Sequence, residues 1–135
     1  MTSYKFFEPY INKNATSKIR SALLSKDVGF TESVNQFEME LKKIGLSNPV
    51  CTSSGSAGLV MALKCAGVGQ GDHVLVPRQT FVATGLSVLE VGATPVFCDI
   101  DLNTFGLSIE SAAQMISEKT KLLAVTHVSN TLGTV

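Results

Sequence analysis

The chain has 135 residues, 44% of them hydrophobic, which is enough to bury one sizeable core and fits one domain better than two. Eleven basic and eleven acidic residues leave a formal net charge of zero, so no global field draws nucleic acid or an anionic membrane surface to it. The apolar runs fall far short of the ~20 residues of a membrane span, and Met1 to Tyr10 lacks the basic start and apolar centre of a signal peptide, so a cytoplasmic location is expected.

Residues 1–48 read as a helical N-terminal segment. Thr31 is placed to cap a helix in which Phe30, Val34, Phe37, Leu41 and Ile44 recur at spacings of four and three. That apolar stripe suits packing on its own domain or a subunit contact, the latter making a homodimer. Residues 49–135 alternate β-branched runs with helical periodicity, the pattern of a three-layer α/β domain on a mainly parallel sheet. Pro49 to Thr52 is a strand candidate, followed by a Ser/Gly turn and a helix with Leu59, Ala62, Leu63 and Ala66 on one face. Gly67 and Gly69 close that helix, and His73 to Val76 forms a strand stopped by Pro77. Thr80 to Val91 is a helix with Val82, Leu86 and Leu89 on one side, and Thr94 to Cys98 a strand. Ser108 caps a helix carrying Ile109, Ala112, Ala113 and Ile116, and Leu122 to Val125 is another strand, so a sheet of at least four strands is expected.

Cys51, Cys65 and Cys98 lie far apart, without metal or disulfide spacing, and read as free, buried thiols; no metal site is expected. The most informative segment runs from Thr52 to Leu59, where a strand end passes through small hydroxyl and glycine residues into a helix. At a helix N-terminus several amides lack intrahelical partners and the macrodipole is positive, so a phosphate finds ready donors there. A serine N-cap after a tight turn is the plain structural alternative. Arg78 is a candidate for an anionic group, a partner subunit or ordinary surface exposure, whereas Asp99 and Asp101, after a strand, read as turn-capping carboxylates and His73 as a strand-edge residue.

The run from Ser54 to Leu59, the segments Gly67 to Val74 and Pro77 to Thr84, the stretch Gly92 to Asp101, and Lys119-Thr120-Lys121 together resemble the DegT-type (StrS-like) sugar-aminotransferase family, in order and spacing over most of Phe7 to His127. The resemblance implies the front half of a fold-type I pyridoxal-phosphate (PLP) domain. It also implies an aminotransferase of the nucleotide-sugar type, dimeric, whose partners are a nucleotide-linked keto-sugar and an amino donor, commonly glutamate. In such proteins a hydroxyl residue of the turn and the next amide hold the PLP phosphate, positions matched by Ser56 and Ala57 with Gly55 beside them; an aromatic residue matched by Phe81 stacks on the ring. This chain has Ser56 and Gly58 where the family usually has threonine and alanine, which keeps the hydroxyl and the helix start. His127 matches a family histidine, for which a cofactor-pocket role and structural hydrogen bonding both stand.

Thr126 to Val135 departs from that pattern and is similar to cysteine desulfurases, in which the asparagine matched by Asn130 lies beside the PLP hydroxyl. No lysine matches the Schiff-base motif: Lys64 lies in a helix, and Lys119 and Lys121 flank a strand. Nor does any aspartate match the partner of the pyridine nitrogen. The expectation is therefore an N-terminal portion of an aminotransferase with no catalytic residue of its own, or a non-catalytic binding or assembly module on the same fold. A nucleotide-binding module ranks below both, because the first strand is not followed by G-x-G-x-x-G and no P-loop lysine motif is present.

Overall fold

The computed structural model describes residues 9–26 and 28–128. The chain divides into two compact units, Met1–Cys51 and Thr52–Val135.

The first unit holds α1 (Ala15–Leu24) and α2 (Glu32–Lys43). Thr31 is the N-cap of α2, as its position predicts, but through its carbonyl, which accepts from the Val34 and Asn35 amides at 3.1 and 3.2 Å. Its hydroxyl makes no cap bond and is buried without a partner. Glu32 in the first turn and Lys42 and Lys43 in the last complement the helix macrodipole. Neither helix has a buried residue, and Phe37, in the middle of the predicted stripe, is 56% exposed.

In the second unit, three parallel strands, β1 (His73–Pro77), β2 (Thr94–Cys98) and β3 (Thr120–Leu123), lie in the order β2-β1-β3. Around them run α3 (Gly55–Cys65), α4 (Val82–Glu90) and α5 (Ile109–Met115). The alternation along β1 sets the layers, because successive side chains point to opposite faces. Val74 and Val76 pack with Leu63 of α3 and Val88 of α4, while Leu75 packs on the other face with Cys98 and Ala112 of α5. The result is the expected α/β/α arrangement on a parallel sheet. β1 is central and buried on both faces, so its apolar run is continuous rather than alternating.

The glycines after α3 and α4 do the same work. Gly67 (φ +71°) and Gly92 (φ +79°) adopt the left-handed conformation that L side chains avoid. Each donates its amide to a carbonyl three residues back, while Val68 and Ala93 donate to the carbonyls of Leu63 and Val88. These are Schellman closures, in which the residue after the glycine also packs inward: Val68 and Ala93 are both buried.

Three expectations fail. Pro49 to Thr52 forms no strand: no ladder reaches it among the described residues, and a strand without a neighbour leaves its backbone groups unpaired, so the sheet has three strands rather than at least four. The last strand runs over Thr120–Leu123 instead of Leu122 to Val125, because its ladder with β1 begins at the His73 pairing. The apolar stripe of α4 faces away from the sheet, and of that of α5 only Ala112 is buried. α4 buries Ala83, Ser87 and Val88 rather than Val82, Leu86 and Leu89, and α5 buries Ala112 rather than Ile109 or Ile116. Small inward residues let both helices approach the strands closely.

Candidate functional site

The turn into α3 is built around Thr52 and Ser54. Thr52 Oγ1 donates to the Ser54 carbonyl at 2.8 Å, and Ser54, in extended conformation, accepts the Ala57 amide on its side chain at 3.1 Å and the Gly58 amide on its carbonyl at 3.0 Å. Gly58 permits this closeness: a Cβ there would lie 3.3 Å from Thr52 Oγ1. The serine N-cap of the sequence expectation is Ser54, and Gly55 and Ser56 follow it as the first helical residues. The amides of Gly55 and Ser56, and the Ser56 hydroxyl, take no hydrogen bond among the described residues. The space in front of Gly55 is open, with no atom within 4 Å of where a Cβ would stand.

Phe81 stands at the N-cap of α4 and is 60% exposed. It shares a cavity of about 640 Å³ with Ser56, Ala57, Met61 and Val82. It also lines a second cavity of about 440 Å³ between α3, α4 and the chain after β3, together with Leu59, Leu63, Thr84, Val88 and Thr126 among others. Phe81 is thus a wall common to both. Ser56 and Ala57 come together with Phe81; Gly55 adjoins them in sequence without lining either cavity.

His127 is exposed, lines neither cavity and makes no hydrogen bond among the described residues. Asn130 lies outside the described residues. Arg78 extends the β1–β2 pairing through its amide, which donates to the Cys98 carbonyl, and its Nε contacts Asp99 Oδ1 at 2.8 Å in an exposed ion pair. Asp101 caps a turn: Oδ1 accepts the Asn103 and Thr104 amides at 2.8 and 2.9 Å, and these bonds, that from Thr104 foremost, hold its carboxyl below the usual range. His73 opens the central strand, its Nδ1 3.5 Å from Ser117 Oγ. The three cysteines are free, but only Cys98 is buried as expected, Cys51 being half-buried and Cys65 exposed; burial, seconded by the neighbouring Asp99 carboxylate, pushes the Cys98 thiol up. Among the described residues no three His, Cys, Asp or Glu side chains gather as metal ligands would.

One feature was not read from the sequence. Thr80 Oγ1 lies 2.9 Å from Thr84 Oγ1 and 2.8 Å from Thr126 Oγ1, a chain of three hydroxyls beside Phe81. The i,i+4 spacing of Thr80 and Thr84 on a predicted helix was a usable signal. Thr126, 46 residues further on, gave none.

Over 82 residues the chain is 46% identical to the L-glutamine:2-deoxy-scyllo-inosose aminotransferase of Streptomyces fradiae, covering 59% of this chain and 19% of that one. Over 84 residues it is 39% identical to the UDP-N-acetyl-3-dehydro-alpha-D-glucosamine 3-aminotransferase of Acidithiobacillus ferrooxidans, covering 62% and 23%. The putative sugar aminotransferase Spr1654 from Streptococcus pneumoniae, in its PMP form, superposes with a TM-score of 0.85 at 30% identity, over 92% of this chain and 32% of that one. The chain thus spans about a fifth of the length of these two curated relatives. Because residues 9–132, which include the α3 turn, Phe81 and all three strands, match the DegT/DnrJ/EryC1/StrS aminotransferase family, the chain belongs to that family.

Proposed function

We propose that this chain carries the phosphate-holding and ring-covering part of a PLP-dependent sugar aminotransferase. The observation behind the reading is the pairing, in one cavity wall, of the α3 N-terminus and its Ser56 with the aromatic face of Phe81. The residues fit the cofactor. Two uncommitted amides and a free hydroxyl at the positive end of an 11-residue helix match a phosphate dianion, and a flat apolar ring beside them matches a pyridine. In support, Spr1654 has also been solved in a PLP form.

In this reading the Gly55 and Ser56 amides and the Ser56 hydroxyl donate to the phosphate, and the Ala57 amide joins them by leaving Ser54 Oγ. Phe81 covers one face of the ring and excludes water from it. PLP supplies an electrophilic carbon and an electron-withdrawing ring, which let an amino group pass from donor to acceptor. We assign no catalytic residue within the second unit. Its lysines are all exposed: Lys64 is in the last turn of α3, and Lys119 and Lys121 lie at the start of β3, the opposite end of the parallel strands from Phe81. This portion is therefore inactive by itself. Asn130 stays our candidate neighbour of the PLP hydroxyl, while His127, which lines neither cavity, is left between a pocket role and a structural one.

For the acceptor we propose a nucleotide-linked keto-sugar, in keeping with the relative named for a UDP-linked dehydro-sugar, and for the donor glutamate or glutamine, the latter in keeping with the relative named for L-glutamine. The family match runs to residue 132, across most of the segment that is similar to cysteine desulfurases, which favours the sugar-aminotransferase reading. Free thiols suit a reducing cytoplasm, and among the described residues no helix is long and apolar enough to cross a membrane. We also propose homodimerisation through α2, whose neighbours Phe30 and Ile44 are exposed together with Phe37. A molar mass that stays monomeric in light scattering at high concentration would refute it.

The cofactor reading is tested by titrating the full chain with PLP, followed by absorbance and then borohydride reduction. Binding is expected to saturate and to weaken about ten- to hundredfold in Ser56→Ala, as the loss of a hydrogen bond to a charged group predicts. A reduced adduct on Lys64, Lys119 or Lys121 would overturn the assignment of no catalytic lysine.

A further inference from the structure

The residue before Phe81 holds the structure's only hydroxyl chain among the described residues that crosses from one element to another around the site. Thr80 Oγ1 bonds Thr84 Oγ1, one turn into α4, and Thr126 Oγ1, in the chain beyond β3. All three residues line the cavity of about 440 Å³ to which Phe81 also contributes, and Phe81 lines the neighbouring cavity with Ser56. A hydroxyl carries one proton and two lone pairs, so Thr80 serves both contacts either by donating to one neighbour and accepting from the other or by accepting from both.

The start of α4 depends on this arrangement. Its N-cap is Phe81, which has no side-chain acceptor, so α4 begins without the side-chain cap that Ser54 gives α3 and Ser108 gives α5. What fixes the turn instead is a main-chain bond from the Thr84 amide to the Phe81 carbonyl at 2.9 Å, and the two bonds of Thr80 on either side of it. One of those ties the turn to the helix; the other ties it to the end of β3. Phe81 itself is mostly exposed and gains little orientation from packing.

We infer that Thr80 is a positioning residue, whose hydroxyl, held between Thr84 and Thr126, sets the orientation of the Phe81 ring over the α3 N-terminus. The inference rests on the reading that Phe81 covers the cofactor ring. It makes a specific claim about coupling: Thr80 acts on PLP only through Phe81 and leaves the phosphate donors of α3 untouched.

The test uses the full chain and a double-mutant cycle. Thr80→Val keeps the shape and removes both bonds, and Thr80→Ser keeps the hydroxyl. PLP affinity is expected to fall about tenfold in Thr80→Val, to recover in Thr80→Ser, and to show no further loss when Thr80→Val is added to Phe81→Ala. Affinity for inorganic phosphate is expected to be unchanged throughout. Equal losses from Thr80→Val with and without Phe81 would overturn the inference, as would full PLP affinity in Thr80→Val while Phe81→Ala binds weakly. If Phe81→Ala binds PLP as tightly as the parent chain, the reading of Phe81 fails first, and the inference with it. A second measurement needs no cofactor: hydrogen exchange at the Thr84 amide should quicken in Thr80→Val and return in Thr80→Ser, and unchanged exchange in Thr80→Val would overturn the anchoring role.

Discussion

Replacing Ser54 by alanine separates the structural and the ligand-binding roles of the α3 turn. The Ser54 hydroxyl accepts the Ala57 amide at 3.1 Å, so Ser54→Ala removes a side-chain N-cap and should cost about 1 kcal/mol, within a usual span of about 0.5–2. For a cooperative unit the size of Thr52–Val135 this lowers Tm by about 4–8 °C per kcal/mol. PLP changes the comparison. In the parent chain a phosphate reaching Ala57 must displace Ser54 Oγ; in the variant that amide is already free. Ligand at about a hundredfold over Kd stabilises by about 2.7 kcal/mol, and the variant should gain more than the parent at equal free ligand. The gap in Tm should therefore close as PLP saturates, and the variant's Kd should be tighter by up to about fivefold, the equivalent of 1 kcal/mol. Calorimetric melts with and without PLP measure both. A gap that persists at saturation would show that the Ala57 amide stays with Ser54 and is no phosphate donor, and a gap that widens would make the Ser54 hydroxyl itself a ligand.

Three further outcomes follow from the packing and the charges. Leu75→Ala, in the central strand at 2% exposure, should destabilise by about 2–5 kcal/mol in denaturant titration, and a loss under about 1 kcal/mol would contradict the placement of the core. Asp101 has a depressed carboxyl pKa, so its contribution is present above the unfolded value and is lost as pH falls through the usual carboxylate range toward the lower folded value. Asp101→Asn should accordingly flatten the acid limb of a stability profile, and an unaltered limb would show the turn to be indifferent to that charge. A thiol reagent should label exposed Cys65 first, half-buried Cys51 later and buried Cys98 only on unfolding; early labelling of Cys98 by peptide mapping would contradict the two-sided burial of the sheet.

The sequence is most legible where one local cause determines the structure. Ser54 and Ser108 sit before apolar periodic segments and are side-chain caps; Gly67 and Gly92 end helices because only glycine enters the left-handed conformation without strain. β1 is readable because a continuous run, Val74 to Val76, suits a strand covered on both faces. Legibility fails where the cause is distant. Pro49 to Thr52 has strand composition, but pairing depends on a neighbour that composition does not specify. The stripe of α4 misleads for a different reason: periodicity identifies an apolar face without saying whether the sheet takes that face or the one carrying Ala83 and Ser87. At the site, the turn residues could be read from their order, whereas Thr80 and Thr126 meet only because β3 lies beside β1.

The orientation of that stripe bears on what the second unit can do. Its buried core is concentrated on β1, with small residues of α4 and α5 pressed against the sheet, while Val82, Leu86, Leu89, Ile109 and Ile116 are exposed. These residues lie on two helices that pack on opposite faces of the sheet, and the α4 group, with Phe81 at its start, is the apolar surface beside the site. The same openness extends to the site: Ser56 is exposed and more than half of the Phe81 ring is in water. Charge-assisted bonds to a phosphate tolerate such exposure, because the α3 amides are held in place by the helix itself. Moving a proton between substrate and cofactor tolerates it less, since fixed dipoles act strongly only where water is excluded. On the proposed function, then, the α3 turn would hold the phosphate even in this exposed setting, whereas proton movement would call for water to be excluded by a surface laid over Phe81, Val82 and Leu86.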